Sequence, residues 1–388
     1  MKLLRTLSTA RLIGLVVLVA TVGAAGAALA LAAGGGGTPP PPKPLATAIH
    51  DALSGSTPAG ITARITFTNN LFPSGALTGV ASSALLSGAT GRLWVTADGK
   101  GRLELTSSAG DTQIVWASDK AWAYDASTNT VYKLNLPAST SSDAHDAATP
   151  PALADVQKIL TELSQQATVS GADPGTQASE PAYTVTISPK HDGGLLGSAQ
   201  LAFDATNGVP LRIAVYAQGS ATPALALTVT DISFDAVAAG TVDITPPPGA
   251  HIVDLGAAAK SAGPSDRSSG PDVNTLAGVQ AAVDFPVAAP DTLVGLPRQH
   301  VGLAGKDAAI VVYGQGLGAI VVVERKADST QKAGAFAGVP TVSLDGVTAH
   351  ELATQLGTVI EWQSAGRGVV LAGSLPAGAA EAAAREVK

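Results

Sequence analysis

The chain has 388 residues, of which 46% are hydrophobic, only 14% are charged and none is cysteine, and its net charge is −7. An acidic chain with few aromatic residues lacks the basic surface and stacking platforms of nucleic-acid-binding proteins. The missing cysteine excludes disulfides, thiolate metal sites, cysteine nucleophiles and a lipidated N-terminal cysteine. The length predicts two domains.

The N-terminal segment predicts export. Three basic residues precede an uncharged run from Leu12 to Ala33, which as a helix would span about 33 Å, close to the hydrocarbon core of a bilayer. The basic flank favours a cytoplasmic N-terminus. Residues 1–33 are predicted to be an uncleaved membrane anchor, or alternatively a signal peptide cleaved at small residues near Ala30. Both alternatives place the rest of the chain outside the cytoplasm.

Two segments rich in glycine and proline predict linkers. Residues 34–44 read "GGGGTPPPPKP", and residues 257–272 read "AAAKSAGPSDRSSGPD". Such composition is typical of stalks and domain boundaries. The exported part is therefore divided into a first domain at 45–256 and a second at 273–388.

The first domain is predicted to open with a helix over 45–53, on which Leu45, Ile49 and Leu53 form one stripe. Strand patterns with a period of two follow, joined by short turns such as the one at Asp98-Gly99, and therefore predict an antiparallel meander. A helix after Pro151 is predicted to cover the sheet with one apolar side, formed by Leu153, Val156, Ile159, Leu160 and Leu163.

Strands resume after that helix, most clearly in "LAFDATNGVPLRIAVYA" from Leu201 to Ala217. Pro246 to Pro248 are expected to end the ladder. The second domain predicts a helix near Thr275 to Val283, several hairpins and a closing helix from Pro376 to Val387. Both domains are therefore predicted to be α+β with antiparallel sheets.

Catalytic or metal-binding patterns are missing from the sequence. The six histidines show no paired spacing that would hold a metal on a helix. "YGQGLGA" at 313–319 is followed by a strand pattern, which indicates a hairpin turn and not a phosphate loop. "DATNG" at 204–208 indicates a turn capped by Asp204 with Gly208 at positive φ. We therefore predict no enzyme activity, no metal and no cofactor.

Aromatic residues concentrate in the first meander, namely Trp94, Trp116, Trp122, Tyr124 and Tyr132. Two interpretations remain open: ordinary core and cross-strand pairs, or the lining of a cavity. The apolar stretch from Leu71 to Gly91 is long for a connection, and it could act as a lid over such a cavity.

Five stretches of the first domain form a pattern that extends over roughly 44–255: "GRLWVTADGKGRLEL", "VWASDKAWAYDASTNTVYKL", "YTVTISP", "AQLAFDATNGVPLRIAVY" and "ITPPPGAHIV". In these stretches the domain resembles the bacterial lipoprotein-carrier superfamily, which includes LolA-type, LppX-type and RseB-type proteins. "FPVAAPDTL", "IVVYGQG" and "VIEWQSAGRGVVLAGSLP" resemble a small domain attached to such proteins. LppX-type proteins carry a lipidated cysteine that this chain lacks, which favours a peptide anchor.

The resemblance implies a curved antiparallel sheet, or half-barrel, that is covered by helices over a hydrophobic cavity. It implies a membrane-tethered extracytoplasmic protein that holds a lipid or a lipidated protein. The alternative is an RseB-like envelope-stress regulator whose partner is a membrane protein such as an anti-sigma factor. Candidates for the cavity lining are the apolar side chains of the meander and of the second helix: Trp94, Leu103, Leu105, Ile114, Trp116, Trp122, Tyr124, Tyr132, Leu134 and Leu160.

Overall fold

The structure is a computed structural model that describes residues 37–72, 84–117, 120–135, 151–191, 193–254, 274–305, 307–327 and 339–387. The predicted anchor, the predicted linker at 257–272 and the centre of the predicted lid lie outside these ranges. Among the helices within the ranges, none combines the length and the apolar character that crossing a bilayer requires.

Contacts divide the chain into two compact units. Unit 1 takes its described residues from Met1–Asn70, Ser83–Ser188 and Gly197–Ile252, and unit 2 from Leu71–Ser82, Pro189–Leu196 and Val253–Lys388. Each unit combines helices with an antiparallel sheet. The predicted α+β fold class with two antiparallel sheets is confirmed.

Unit 1 is built on one large sheet with a few short helices. The helices are α1 (Leu45–Leu53), α2 (Ala84–Ser87), α3 (Leu153–Gln166) and α4 (Ala239–Val242). The strands are β1 (Gly60–Asn69), β2 (Ala89–Thr96), β3 (Gly101–Ser107), β4 (Gly110–Trp116), β5 (Lys120–Asp125), β6 (Thr130–Asn135), β7 (Ala167–Val169), β8 (Asp173–Gln177), β9 (Glu180–Pro189), β10 (Leu196–Asp204), β11 (Pro210–Ala217), β12 (Pro223–Ser233) and β13 (His251–Asp254).

In the sheet of unit 1, strands from the beginning of the unit's sequence lie next to strands from its end. In the described residues its order is β13-β6-β5-β4-β3-β2-β1-β12-β11-β10-β9-β7, with β8 paired to β9. Consecutive strands are neighbours from β1 to β6, as the short turns predict. The ladder does not end at the prolines as expected, because pairing resumes after them and the amide of His251 donates to the carbonyl of Asn129 at 2.9 Å.

The end of the predicted linker at 34–44 is attached to unit 1. The hydroxyl of Tyr183 donates to the carbonyl of Pro41 at 2.6 Å, and Lys43 forms an ion pair with Asp51 of α1 at 2.6 Å. Lys43 also forms an isolated β-bridge with Ala172. Proline has no backbone N–H, so a proline-rich segment has few donors of its own. Its carbonyls therefore accept hydrogen bonds from other parts of unit 1.

The helices of unit 1 cover the sheet in part only. Helix α1 begins and ends as predicted, and it buries Ala48 and Ala52 against β9 and β10, whereas Leu53 of the predicted stripe is 50% exposed. Helix α3 packs against α1 and β7. Only Val156 of α3 is buried and Ile159 is 60% exposed, so the prediction that its whole apolar side covers the sheet was wrong.

Unit 2 has an eight-stranded sheet and two helices within the described residues. The helices are α5 (Leu276–Ala282) and α6 (Ala377–Val387), and the strands are β14 (Thr292–Leu293), β15 (Leu296–Leu303), β16 (Ala308–Tyr313), β17 (Ile320–Lys326), β18 (Thr341–Leu344), β19 (Val347–Thr354), β20 (Gly357–Ser364) and β21 (Arg367–Gly373). The order is β14-β15-β16-β17-β21-β20-β19-β18. One contiguous cluster of buried side chains from both helices and the sheet forms its core.

A buried ion pair lies within unit 2. Glu324 on β17 is fully buried, and Arg367 on β21 donates to its carboxylate at 2.7 Å. The carboxylate also accepts from the amide of Ala288, while Arg367 donates to the carbonyl of Val387 at the end of α6. Desolvation raises the pKa of Glu324, and the Ala288 amide and Arg367 oppose that rise. The pair therefore connects two strands to the end of a helix.

We expect Arg367→Met to lower the unfolding free energy of unit 2 by about 3–5 kcal/mol, because it leaves a buried carboxylate without its partner. The double variant Glu324→Gln, Arg367→Met removes both charges, and its loss should be smaller. Hydrogen exchange over β17 and β21, followed by mass spectrometry, measures this loss separately from unit 1. Equal protection in the single and double variants would contradict the prediction.

Candidate functional site

The strand register fixes two faces on the part of the unit 1 sheet that runs from β1 to β6. Leu93 lies opposite Leu103, which lies opposite Ile114 on β4. Side chains that are directly opposite in an antiparallel pair point to the same face. The row continues through Ala123 to Tyr132, so one apolar face extends over five strands.

A second row on the same face runs through Gly101, Trp116, Ala121 and Leu134. The indole of Trp116 lies close over β3, since a Cβ at Gly101 would come within 2.0 Å of the ring. Its Nε1 donates to the carbonyl of Gly99 at 3.1 Å. Glycine at this position is what allows the indole to lie this close to β3. We refer to Leu93, Leu103, Ile114, Trp116, Tyr132 and Leu134 as the apolar face.

Burial changes along this face. Near β1, helix α2 contributes Ala84 to a buried cluster with Ile65, Phe67 and Leu105. Towards β6 the side chains are half-buried, and Tyr132 and Leu134 are each 37% exposed. The face is therefore core at one end and accessible at the other.

The predicted cavity candidates fall on both faces. Five candidates belong to the apolar face, namely Leu103, Ile114, Trp116, Tyr132 and Leu134, and Leu105 lies on the same side of the sheet. Trp94, Trp122 and Tyr124 lie on the opposite face, and Leu160 belongs to α3. Side chains alternate between the two faces along a strand. Aromatic residues that lie close together in the sequence are therefore distributed over both faces of the sheet. The assignment of these residues to a ligand stays a prediction.

The opposite face is covered at β4 to β6. Val115, Trp122 and Val131 form a buried cluster there with Tyr124, Ile244 and Ala250. Trp122 is therefore buried on this side of the sheet. Trp94 instead lies beneath the guanidinium of Arg102 at 5.3 Å.

Sequence reasoning missed Leu93, although a signal for it exists. The turn at Asp98-Gly99 has Gly99 at φ +81°, as a tight hairpin requires. The turn in fact contains three residues, Ala97 to Gly99, because the amide of Thr96 donates to the carbonyl of Lys100 at 2.9 Å. Counting outwards from this three-residue turn pairs Leu93 with Leu103. The length of the turn is therefore the signal: three turn residues assign Leu93 to the face of Leu103, whereas a two-residue turn at Asp98-Gly99 would have assigned Trp94 to it.

The polar motifs have structural explanations. Asp204 Oδ1 accepts from the amides of Thr206 and Asn207 at 2.8 and 3.0 Å, and Gly208 has φ +72°. The capped turn is therefore confirmed. "YGQGLGA" connects β16 to β17, which pair antiparallel, so the predicted hairpin turn is confirmed as well. Within the described ranges, no group of three or more potential metal ligands is present.

Comparison with known proteins gives matches at the level of fold. No family model matches the chain, and no curated protein matches it. Among solved structures, the Pseudomonas aeruginosa MucA/MucB complex matches with 14% identity and a TM-score of 0.42, covering 88% of this chain and 94% of that chain. A LolA superfamily protein from Nitrosomonas europaea matches with 9% identity and a TM-score of 0.23, covering 52% of this chain and 98% of that chain.

A putative outer membrane lipoprotein-sorting protein domain from Vibrio parahaemolyticus also matches, with 9% identity and a TM-score of 0.21, covering 47% of this chain and 89% of that chain. The names of the last two structures refer to the LolA superfamily and to lipoprotein sorting. At such TM-scores the likeness assigns no ligand and no residue.

The accessible end of the apolar face should contribute little to folding. Leu105 and Leu134 are the same residue type on the same face, but Leu105 is 2% exposed and Leu134 is 37% exposed. We expect Leu105→Ala to lower the unfolding free energy of unit 1 by about 2–5 kcal/mol. Leu134→Ala should lower it by less than about 1 kcal/mol. Urea denaturation of both variants measures the difference, and an equal loss would show that the face is ordinary core.

Proposed function

We propose that the protein is an extracytoplasmic binding protein that holds a lipid or a lipidated protein by its acyl chain on the apolar face of unit 1. The observation that carries the proposal is the pair of apolar rows that ends in the 37% exposed side chains of Tyr132 and Leu134. Large accessible apolar patches typically mark binding surfaces. Such a site works by area and shape, so it needs no catalytic motif.

The energetics constrain how an acyl chain would bind. Each buried methylene contributes about 0.8 kcal/mol, so a 16-carbon chain gains roughly 12 kcal/mol in a bilayer. A sheet face touches a chain from one side, and it therefore recovers only part of that free energy. A carrier of this kind needs a second covering surface around the chain.

The accessibility of the face favours a second candidate. An apolar segment of a partner protein brings its own polar exterior, so one open sheet face suffices to bind it. In this alternative the protein is an RseB-like regulator that binds a membrane partner such as an anti-sigma factor. Both candidates use the same side chains and differ in what occupies them.

A short tether supports a location next to the membrane. If residues 1–33 form the anchor, the seven residues from Gly34 to Pro40 separate it from Pro41, the first described residue with a hydrogen bond to unit 1. Eight extended residue steps span at most about 29 Å. Unit 1 would then be held within reach of membrane lipids and of the outer segments of membrane proteins.

Photo-crosslinking in cells tests both candidates at once. We expect a photoreactive phenylalanine analogue at Leu134 to be crosslinked, and the same analogue at Trp94, on the other face, to be crosslinked much less. Mass spectrometry of the adduct separates the candidates: a lipid or acylated protein supports carriage, and a non-acylated protein segment supports regulation. Equal labelling at the two positions would exclude the apolar face as the binding surface.

Introducing a charge on the face should abolish the adduct. With the analogue at Tyr132, Leu134→Asp is expected to reduce crosslinking at least tenfold, because an ionised carboxylate is costly to desolvate against an apolar ligand. Trp94→Ala is the matched control, since it changes a half-buried aromatic residue on the opposite face. Melting temperatures of both variants show that unit 1 remains folded.

The location is tested by fractionation and protease treatment. We expect protease added to cells stripped of their wall to degrade the chain, because residues 34–388 are proposed to lie outside the cytoplasm. A peptide containing Lys2, recovered from the membrane fraction, would support the uncleaved anchor. An N-terminus near Leu31 in the medium would support the signal peptide. Full protection from the protease would contradict both.

A further inference from the structure

The opposite face of the unit 1 sheet has a polar pocket between β1, β2 and β3. The pocket has a volume of about 430 Å³, within the range of about 300–1,000 Å³ that is usual for small-molecule sites. Its side walls are two arginines, a glutamate and four threonines: Arg64, Arg92, Glu104, Thr66, Thr90, Thr106 and Thr230. Backbone of Ile65 and Gly91 completes it. None of these side chains belongs to the apolar face.

The strand register places two positively charged side chains on the same rung of the sheet, that is, directly opposite each other on neighbouring strands. Arg64 lies directly opposite Arg92, and like charges in this position repel each other. Arg64 approaches Asp231 at 3.7 Å, with both side chains about 70% exposed, so that ion pair is weak. The side chain of Arg92 forms no hydrogen bond or ion pair with any residue that the structure describes.

The glutamate of the pocket is occupied by other partners. Glu104 lies opposite Arg92, but its Oε1 accepts hydrogen bonds from Arg102 and, at 3.1 Å, from Gln113. Arg102 is itself held by the carbonyl of Thr241 at 3.1 Å. The carboxylate therefore pairs with Arg102, and it forms no ion pair with Arg64 or Arg92.

Hydroxyl groups form the next rung. Thr66 lies opposite Thr90, which lies opposite Thr106. Among the described residues, these three hydroxyls have no side-chain hydrogen bond, so each can donate to a ligand. Two planar guanidinium groups beside a row of hydroxyl donors match the oxygens of a tetrahedral oxyanion.

We infer that this pocket binds a phosphate monoester group. A monoester carries a charge of about −1.5 to −2 at pH 7, which balances the two arginines and removes their repulsion. The volume leaves room for the organic part of the ester. A net charge of −7 on the whole chain means that such a positive rung is not a general property of its surface. The site is separate from the apolar face and does not depend on the proposed function.

Calorimetric titration of the full chain in a non-ionic detergent tests the inference with three probes: inorganic phosphate, glucose 1-phosphate and dihexanoylphosphatidic acid. We expect saturable binding with one site per chain. Arg92→Gln should weaken it at least about tenfold, and Thr90→Val about threefold. Lys133→Gln is the matched control, because it removes one positive charge from the same face outside the pocket, and it should leave the affinity within twofold.

The probes also separate two sources of the phosphate group. Equal affinity for glucose 1-phosphate and dihexanoylphosphatidic acid assigns the site to soluble phosphate esters, and tighter binding of the lipid assigns it to a headgroup. A melting curve provides a second measurement: phosphate should raise the melting temperature of the wild type and of Lys133→Gln but not of Arg92→Gln. No saturable binding of any probe, or equal losses in Arg92→Gln and Lys133→Gln, would overturn the inference.

Discussion

The antiparallel register of β1 to β6 determines the chemistry of both faces of unit 1. Because side chains alternate, every residue of these strands is assigned to a face once one pair is fixed, and a slip of one residue would exchange the faces. The three-residue turn from Ala97 to Gly99, across which the amide of Thr96 donates to the carbonyl of Lys100, fixes such a pair. Leu103 and Arg102 are neighbours in the chain, yet one lies in an apolar row and the other beside a polar pocket.

The two units use their apolar residues differently. Unit 2 has one contiguous core in which side chains such as Trp362 and Leu371 are almost fully buried. Unit 1 has several smaller buried clusters, and the part of its apolar face near β6 belongs to none of them. Apolar residues that are only half-buried contribute less to folding than fully buried ones, in proportion to the area removed from water. Their presence in two complete rows is the reason to associate them with binding.

The face of unit 1 opposite to the apolar face carries both well-paired and poorly paired charges. Arg102 is paired with Glu104 and also donates to the carbonyl of Thr241. Arg64 and Arg92 are placed opposite each other at a cost in repulsion. A protein that carries a locally unfavourable arrangement of charges commonly does so at a site where a ligand balances it.

The sequence by itself determined the type and order of most elements, because period-two alternation and turn residues are local signals. Helix α1, the hairpin at Asp98-Gly99, the capped turn at Asp204 and the closing helix α6 follow from such signals. The fold class follows from the same patterns. Local signals also indicated that no catalytic chemistry should be sought.

Only the tertiary structure decided which side chains act together. Trp94 and Trp116 look equivalent in the sequence, but strand parity separates them onto opposite faces. The attachment of Pro41 to Tyr183 joins residues far apart in the chain, and the exposure of Ile159 depends on where α1 and β7 lie. Composition and periodicity describe one segment at a time, whereas pairing across strands and burial between elements are properties of segments that meet only in the folded chain.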